Sequence, residues 1–237
     1  MLYRVIPSIF TAGNLFLGLI AIILAFHQLT EYAAITVIFG MLLDGLDGRI
    51  ARLLNVQSDF GKELDSLSDV ITFGVAPTFI MYVTAFQYLG SIGIIATTVF
   101  PIAGALRLAR FNVKPGIPGY FVGLPITASG GVLATITLYH EVFHPVILLF
   151  TSILLSYLMV SNIKYPNFKK VGFPKAVYWV IPLIILIVVL LAIQFPREFP
   201  KVVFLPLGLY AIYGLKKGFP KKKNREVSED DLESKWD

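Results

Sequence analysis

The sequence predicts an all-α, polytopic membrane protein, and three observations carry that expectation. The 237-residue chain is 56% hydrophobic with a mean hydropathy of +0.76, too apolar to give a soluble domain of this size a polar surface. Its charges fall in blocks between apolar runs rather than along one face of each helix. Most of those runs approach the roughly 20 residues that a helix needs to cross a bilayer. The chain has no cysteine, which excludes disulfides, thiolate nucleophiles and Cys-ligated zinc. The pI of about 9.3 reflects local blocks of Lys and Arg, and no nucleic-acid partner is expected.

Met1 to Ile6, with Arg4 as its charge, is expected at the interface. The first span runs from Pro7 to about Phe26 and puts Thr11, Asn14 and Gly18 on one face. It is long enough to cross and lacks a small-x-small cleavage site, so a retained helix is expected rather than a cleaved signal. His27 to Tyr32 is a polar turn. The second span runs from about Ala33 into the stretch Asp44-Gly45-Leu46-Asp47-Gly48-Arg49-Ile50-Ala51-Arg52. Asn55 to Glu63 interrupts the apolar pattern, and a third span runs from Leu64 to about Tyr88 through Asp65 and Asp69. The fourth runs from Ile92 to about Phe111 and ends in Arg107-Leu108-Ala109-Arg110-Phe111-Asn112. Lys114-Pro115-Gly116-Ile117-Pro118-Gly119 is a loop by its prolines and glycines. The fifth span covers about Tyr120 to Tyr139 and the sixth Pro145 to Ser161. Asn162 to Lys175 is a basic loop, and Ala176 to Phe195 is a seventh span. Val202 to Leu215 suits a re-entrant segment by length, although Lys201 and Lys216 could snorkel and let it cross. The tail from Lys216 is basic, then acidic, and is expected to be disordered. The expected division is a catalytic transmembrane core at 1–162, a basic loop with two further helices at 163–215, and a charged tail at 216–237.

Charge sets the expected orientation. With eight spans and a cytoplasmic N-terminus, all of the 20 Lys and Arg except Arg197 and Lys201 fall on the cytoplasmic side, as the positive-inside rule requires. Seven spans would strand the basic tail outside. Both termini and the acidic stretch are then cytoplasmic, in a multi-pass protein of the cell membrane. His27, His140 and His144 fall on the outer side, away from the acids.

Asp44, Asp47, Asp65 and Asp69 need a physical reason. A charged side chain at the centre of a membrane helix costs at least about 2.5–3.5 kcal/mol, so acids there default to a functional reading. Asp44 and Asp47 are three apart and Asp65 and Asp69 four apart, so each pair shares a helix face. Two antiparallel helices joined by the Asn55–Glu63 link would bring the pairs together. Carboxylates that close repel unless cations bind between them. Oxygen ligands without nearby His or Cys suit Mg²⁺, Mn²⁺ or Ca²⁺, and such a site suits a phosphate-bearing substrate. A divalent-cation transporter remains an alternative on the acids alone.

The spacing Asp-x2-Asp-Gly-x2-Ala-Arg-x8-Gly-x3-Asp-x3-Asp, from Asp44 to Asp69, resembles the signature of the CDP-alcohol phosphotransferase family at every position. The resemblance implies a six-helix core, a homodimer and two divalent ions, Mg²⁺ or Mn²⁺. The implied reaction joins an alcohol to the phosphatidyl group of a CDP-linked lipid and releases CMP. It implies that Asp44, Asp47, Asp65 and Asp69 are metal ligands and that Asp69 is also the base that takes the alcohol proton. Gly48, Ala51, Arg52 and Gly61 would cradle the CDP moiety, with Asn14 and Thr11 as further candidates. The base assignment carries a tension, because a carboxylate bound tightly to a metal is a poor base.

Further stretches are similar to the serine-accepting bacterial and archaeal branch of that family: Thr11-Ala12-Gly13-Asn14, Phe73-Gly74-Val75-Ala76-Pro77, Arg107 to Asn112 and Gly123-Leu124-Pro125. That likeness implies CDP-diacylglycerol and L-serine as substrates. Arg110 would pair with the serine carboxylate, helped by Arg107 and Lys114, with Asn112 near the amino acid. Glycerol 3-phosphate or inositol phosphate would want similar cations and remain alternative acceptors.

Overall fold

A computed structural model describes residues 5–113, 120–166, 194 and 207–212. The helices are α1 (Ile6–Phe26), α2 (Thr30–Leu53), α3 (Asp59–Asp69), α4 (Ala76–Thr84), α5 (Ser91–Val113), α6 (Ile126–Ile136) and α7 (Pro145–Val160). A π-helical turn, Val70–Val75, joins α3 and α4 into one rod. Tyr120–Val122 (β1) and Lys164–Pro166 (β2) pair antiparallel, with Phe121 opposite Tyr165. The passes alternate in direction. One end of the bundle therefore collects the end of α2, the start of α3, the end of α5, the start of α6, the end of α7 and the small sheet. Arg49, Arg52, Lys62, Arg107, Arg110 and Lys164, the Lys and Arg among the described residues, all lie toward that end.

Packing is inverted relative to a soluble bundle. On α1 the buried positions are Pro7, Thr11, Asn14, Gly18, Ala21 and Ala25, while Ile9, Phe16, Leu19, Ile23 and Phe26 are exposed. Small and polar residues face protein and large apolar ones face outward, the pattern of helices packed in lipid. Gly18 and Gly40 let α1 and α2 close on the π-turn. A Cβ on Gly18 would run into Thr72, including its Cα at 2.8 Å. One on Gly40 would meet Thr72 Cγ2 at 2.7 Å and Asn14 Oδ1 at 2.9 Å. Thr72 Oγ1 then donates to the Asn14 carbonyl at 2.9 Å, locking the junction.

The π-turn has a sequence cause. Pro77 has no N–H to give the Phe73 carbonyl four residues earlier, and its ring would crowd that carbonyl in a regular α-helix. The rod widens over Val70–Val75 just before it. The Phe73 carbonyl packs instead against Gly130 of α6, where a Cβ would collide with it. Gly74 approaches Pro101 of α5 on the other side.

Three helical segments are long and apolar enough to cross a membrane: Ile6–Phe26, Asp59–Thr84 and Ser91–Val113. With the further apolar helices, they make the chain a polytopic, mostly helical membrane protein. α2 has the length, at 24 residues, but its last turns carry the acids. The expected fifth span from Tyr120 is corrected: its helix starts at Ile126, after β1. Gly123 has a left-handed φ of 79° and its N–H bonds the Ile163 carbonyl at 2.8 Å, while Pro125 occupies the N-cap of α6. Helix cannot propagate back through those two residues. α6 tolerates being only 11 residues long because protein surrounds it: every residue from Ile126 to Ile136 except Thr127 is buried. The third span is also corrected, beginning at Asp59 rather than Leu64. Ser58 Oγ caps it by accepting the Gly61 N–H at 3.1 Å, a signal that hydropathy ignores.

Residues 207–212 are helical and dock on the bundle, with Ala211 in the apolar core and Leu207 against Gly131. They are the described part of the expected segment Val202 to Leu215. The seventh span, apart from residue 194, lies outside the described residues, as do Lys114 and the tail from Lys216.

Candidate metal centre and active site

The acids lie where α2 and α3 meet. One carboxylate oxygen each from Asp44, Asp47 and Asp65 lies within 4.8 Å of the others. The donor set, three carboxylates without sulfur or imidazole, fits a hard divalent cation. Asp69, the fourth acid of the expected set, stands beside this trio. Asp69 lies one helical turn further from the open end than Asp65 and is only 6% exposed. Its Oδ1 accepts the Asn14 amide at 3.4 Å. The charges of Asp44, Asp65 and Asp47 all act on it, opposed by Arg107 of α5.

The acids are oriented by neighbouring hydroxyls and an amide. Thr11 Oγ1 donates to Asp47 Oδ2 at 2.7 Å in a buried contact, and the Gly48 N–H donates to Asp47 Oδ1. Thr127 Oγ1 donates to Asp44 Oδ2 at 3.3 Å. Thr11 and Asn14, expected near a nucleotide, are 3% and 0% exposed and bond the acids. α1 thus holds the carboxylates in place, as outer partners of metal ligands do.

Gly48, Ala51 and Arg52 continue along α2 toward the open end. Arg52 is exposed, and a Cβ on Gly48 would lie 3.4 Å from Arg52 Nη1, so the backbone there is bare beside a guanidinium. Gly61 opens α3 with its N–H committed to the Ser58 cap.

The expected acceptor residues divide. Arg110, expected to pair with the serine carboxylate, meets backbone carbonyls in this structure. Its guanidinium donates to the carbonyls of Val160 at 2.8 Å, Ser161 at 3.1 Å, Val122 at 3.3 Å and Met159 at 3.4 Å. The physical reason is that the last carbonyls of α7 have no partners within their own helix. Asn112 ties α5 to α3, donating to Ser66 Oγ at 3.0 Å and toward the Glu63 carboxylate at 3.4 Å. Lys62 Nζ answers by donating to the Asn112 carbonyl at 3.3 Å. Arg107 is different. It is 6% exposed, stacks 5.9 Å from the Phe111 ring centroid, and its Nε has no hydrogen-bond partner among the described residues.

Thr127 and Thr72 escaped the sequence reading. Thr127 stands in the first turn of α6, just after Gly123-Leu124-Pro125, and that place was the available signal. Thr72 had none, because its role depends on the π-turn.

Residues 4–163 match the family described as CDP-alcohol phosphatidyltransferase. A Helicobacter pylori (strain ATCC 700392 / 26695) protein named CDP-diacylglycerol–serine O-phosphatidyltransferase is 42% identical over 218 residues, 88% of this chain and 89% of its own. A Bacillus subtilis (strain 168) protein of the same name is 43% identical over 165 residues, 70% of this chain and 92% of its own. A Methanothermobacter thermautotrophicus protein named archaetidylserine synthase is 35% identical over 175 residues, 70% of this chain and 72% of its own.

Proposed function

The chain belongs to the CDP-alcohol phosphatidyltransferase family, and from that premise we propose that it is a CDP-diacylglycerol–serine O-phosphatidyltransferase. It would transfer the phosphatidyl group of CDP-diacylglycerol to the hydroxyl of L-serine, giving phosphatidylserine and CMP. The observation that carries this reading is the meeting of Asp44, Asp47 and Asp65, with Asp69 one helical turn deeper, in a chain whose relatives bear that activity in their names.

Asp44, Asp47 and Asp65 would hold Mg²⁺ or Mn²⁺, one of the two ions that the family resemblance implies. When bound, the ion supplies positive charge against the pyrophosphate oxygens and the departing CMP. The chain's own groups do the rest. The serine oxygen attacks the phosphorus that carries diacylglycerol. The new P–O bond forms as the P–O bond to the CMP phosphate breaks, in line with the attack. Asp69 takes the hydroxyl proton. Asn14 bonds Asp69 beside the carboxylates that would hold the ion, and a looser hold on the metal there would leave it able to act as a base. Gly48, Ala51, Arg52 and Gly61 would receive the CDP moiety, with bare backbone at Gly48 and a planar donor at Arg52.

The positive end of the bundle would face the cytoplasm, so that soluble serine and CMP exchange on that side while the lipid enters between the helices. Both termini would lie there, and the chain would work as a homodimer in the cell membrane. The division into a core at 1–162, added helices at 163–215 and a charged tail would follow.

The test supplies purified protein with CDP-diacylglycerol, Mg²⁺ or Mn²⁺, and one alcohol at a time. CMP release should require serine. Release that ignores serine and answers to glycerol 3-phosphate or inositol phosphate would overturn the acceptor. Asp69→Asn should abolish turnover while CDP-lipid binding persists; equal loss of both would make Asp69 a ligand only.

A further inference from the structure

We propose that Tyr165 and Tyr210 complete, with Arg107, an oxyanion pocket beside Asp69 that takes the carboxylate of the acceptor. The proposal rests on the serine reading and deepens it, because it names what selects the alcohol.

Two buried donors have no hydrogen-bond partner among the described residues. Tyr165 is 0% exposed, and its hydroxyl has no hydrogen-bond partner among the described residues. Arg107 Nε is in the same condition. Buried donors are costly to leave unmet, and two in one neighbourhood suggest a ligand that arrives to meet them. Tyr210 links them. Its ring lies 5.8 Å from that of Tyr165, and it lies within electrostatic reach of Arg107, as Asp69 does. Residues 207–212 are held there by packing, since Leu207 sits against Gly131 and Ala211 is in the core.

The chemistry favours an anion. A guanidinium and phenol hydroxyls are donors suited to carboxylate oxygens. Burial, with Tyr210 beside it, pushes the Tyr165 phenol up to about 12, so it keeps its proton at physiological pH. Four acids nearby would repel a carboxylate unless a cation offset them, and Arg107 is the buried cation there, Arg110 being committed to carbonyls at the end of α7.

An oxyanion could come from the acceptor's carboxylate or from the pyrophosphate of the CDP-lipid. The position of the tyrosines favours the acceptor. Both lie beyond residues 4–163, the stretch that matches the family as a whole. The CDP moiety is what that family shares by description, and the alcohol is what varies. Residues outside the shared stretch suit the variable partner.

Tyr165→Phe and Tyr210→Phe keep the rings and remove the hydroxyls. In full-length protein, each should raise the serine KM about tenfold, the scale of one hydrogen bond to a charged group, with the CDP-diacylglycerol KM within twofold of wild type. Because the rings remain, Tm should hold. Unchanged serine KM in both variants overturns the pocket. A rise in the lipid KM instead assigns the oxyanion site to the pyrophosphate and also overturns it. Lower kcat and Tm with both KM values unmoved would reduce the tyrosines to packing. If the wild type ignores serine, the functional reading fails first; a serine-dependent wild type with indifferent variants sinks the pocket alone.

Discussion

Replacing Thr11 with valine should weaken divalent-cation binding while leaving the bundle intact. Valine has nearly the shape of threonine and lacks the hydroxyl. That hydroxyl has one proton and two acceptors in reach, the Pro7 carbonyl at 3.1 Å and Asp47 Oδ2 at 2.7 Å. The shorter contact, to a charged oxygen, should hold it. A hydrogen bond to a charged group contributes about 1.5–3 kcal/mol, and losing an outer partner of a metal ligand costs about 10–100-fold in affinity. The two scales agree, so the Mn²⁺ dissociation constant should rise by about 10–100-fold, with most activity recovered at saturating metal. Thr127→Val is the graded control. Its bond to Asp44 is longer, 3.3 Å, and Thr127 is only half-buried, so the shift should be smaller. Titrating Mn²⁺ by its electron paramagnetic resonance signal reads both. Unchanged Mn²⁺ affinity in Thr11→Val, with a raised KM for CDP-diacylglycerol, would refute the reasoning and return Thr11 to the nucleotide site.

Two other substitutions separate structure from substrate. Arg110→Met should leave the carbonyls at the end of α7 short of donors, costing about 1–3 kcal/mol. That should appear as a Tm several degrees lower in detergent, with the serine KM little changed; the reverse would restore Arg110 to the acceptor site. Gly18→Ala should cost about 1–3 kcal/mol by overpacking, because the new methyl meets Thr72 at the junction of α1 with the π-turn. A Tm equal to wild type would mean that the junction is looser than its contacts imply.

Much of the site was legible because it is local. The acids sit three and four residues apart on two consecutive helices, and helix periodicity with a short link nearly dictates that they meet. The core helices were legible for a similar reason, since apolar runs between polar breaks leave little choice in a membrane. What was not legible depends on groups distant in sequence. Arg110 reads as a free cation at a helix end, and its meeting with the last carbonyls of α7 is visible only in the fold. Thr11 and Asn14 read as polar residues on one face, but which acid each would meet depends on how α1 crosses α2 and α3. The burial of Asp69 beside the other acids depends on how the helices pack, which spacing does not set. β1 was hidden because three residues pairing across 41 intervening residues leave no local pattern. Tyr165 and Tyr210 carried no signal until folding placed their rings together.

The most direct measurement is equilibrium Mn²⁺ binding by the full-length protein and four single variants. Asp44→Asn, Asp47→Asn and Asp65→Asn should each lose most of the affinity, including the variant on α3, while Asp69→Asn keeps more of it than any of these. Mn²⁺ bound as tightly by Asp65→Asn as by wild type would mean that α2 and α3 do not share an ion, and the account would fail at its centre.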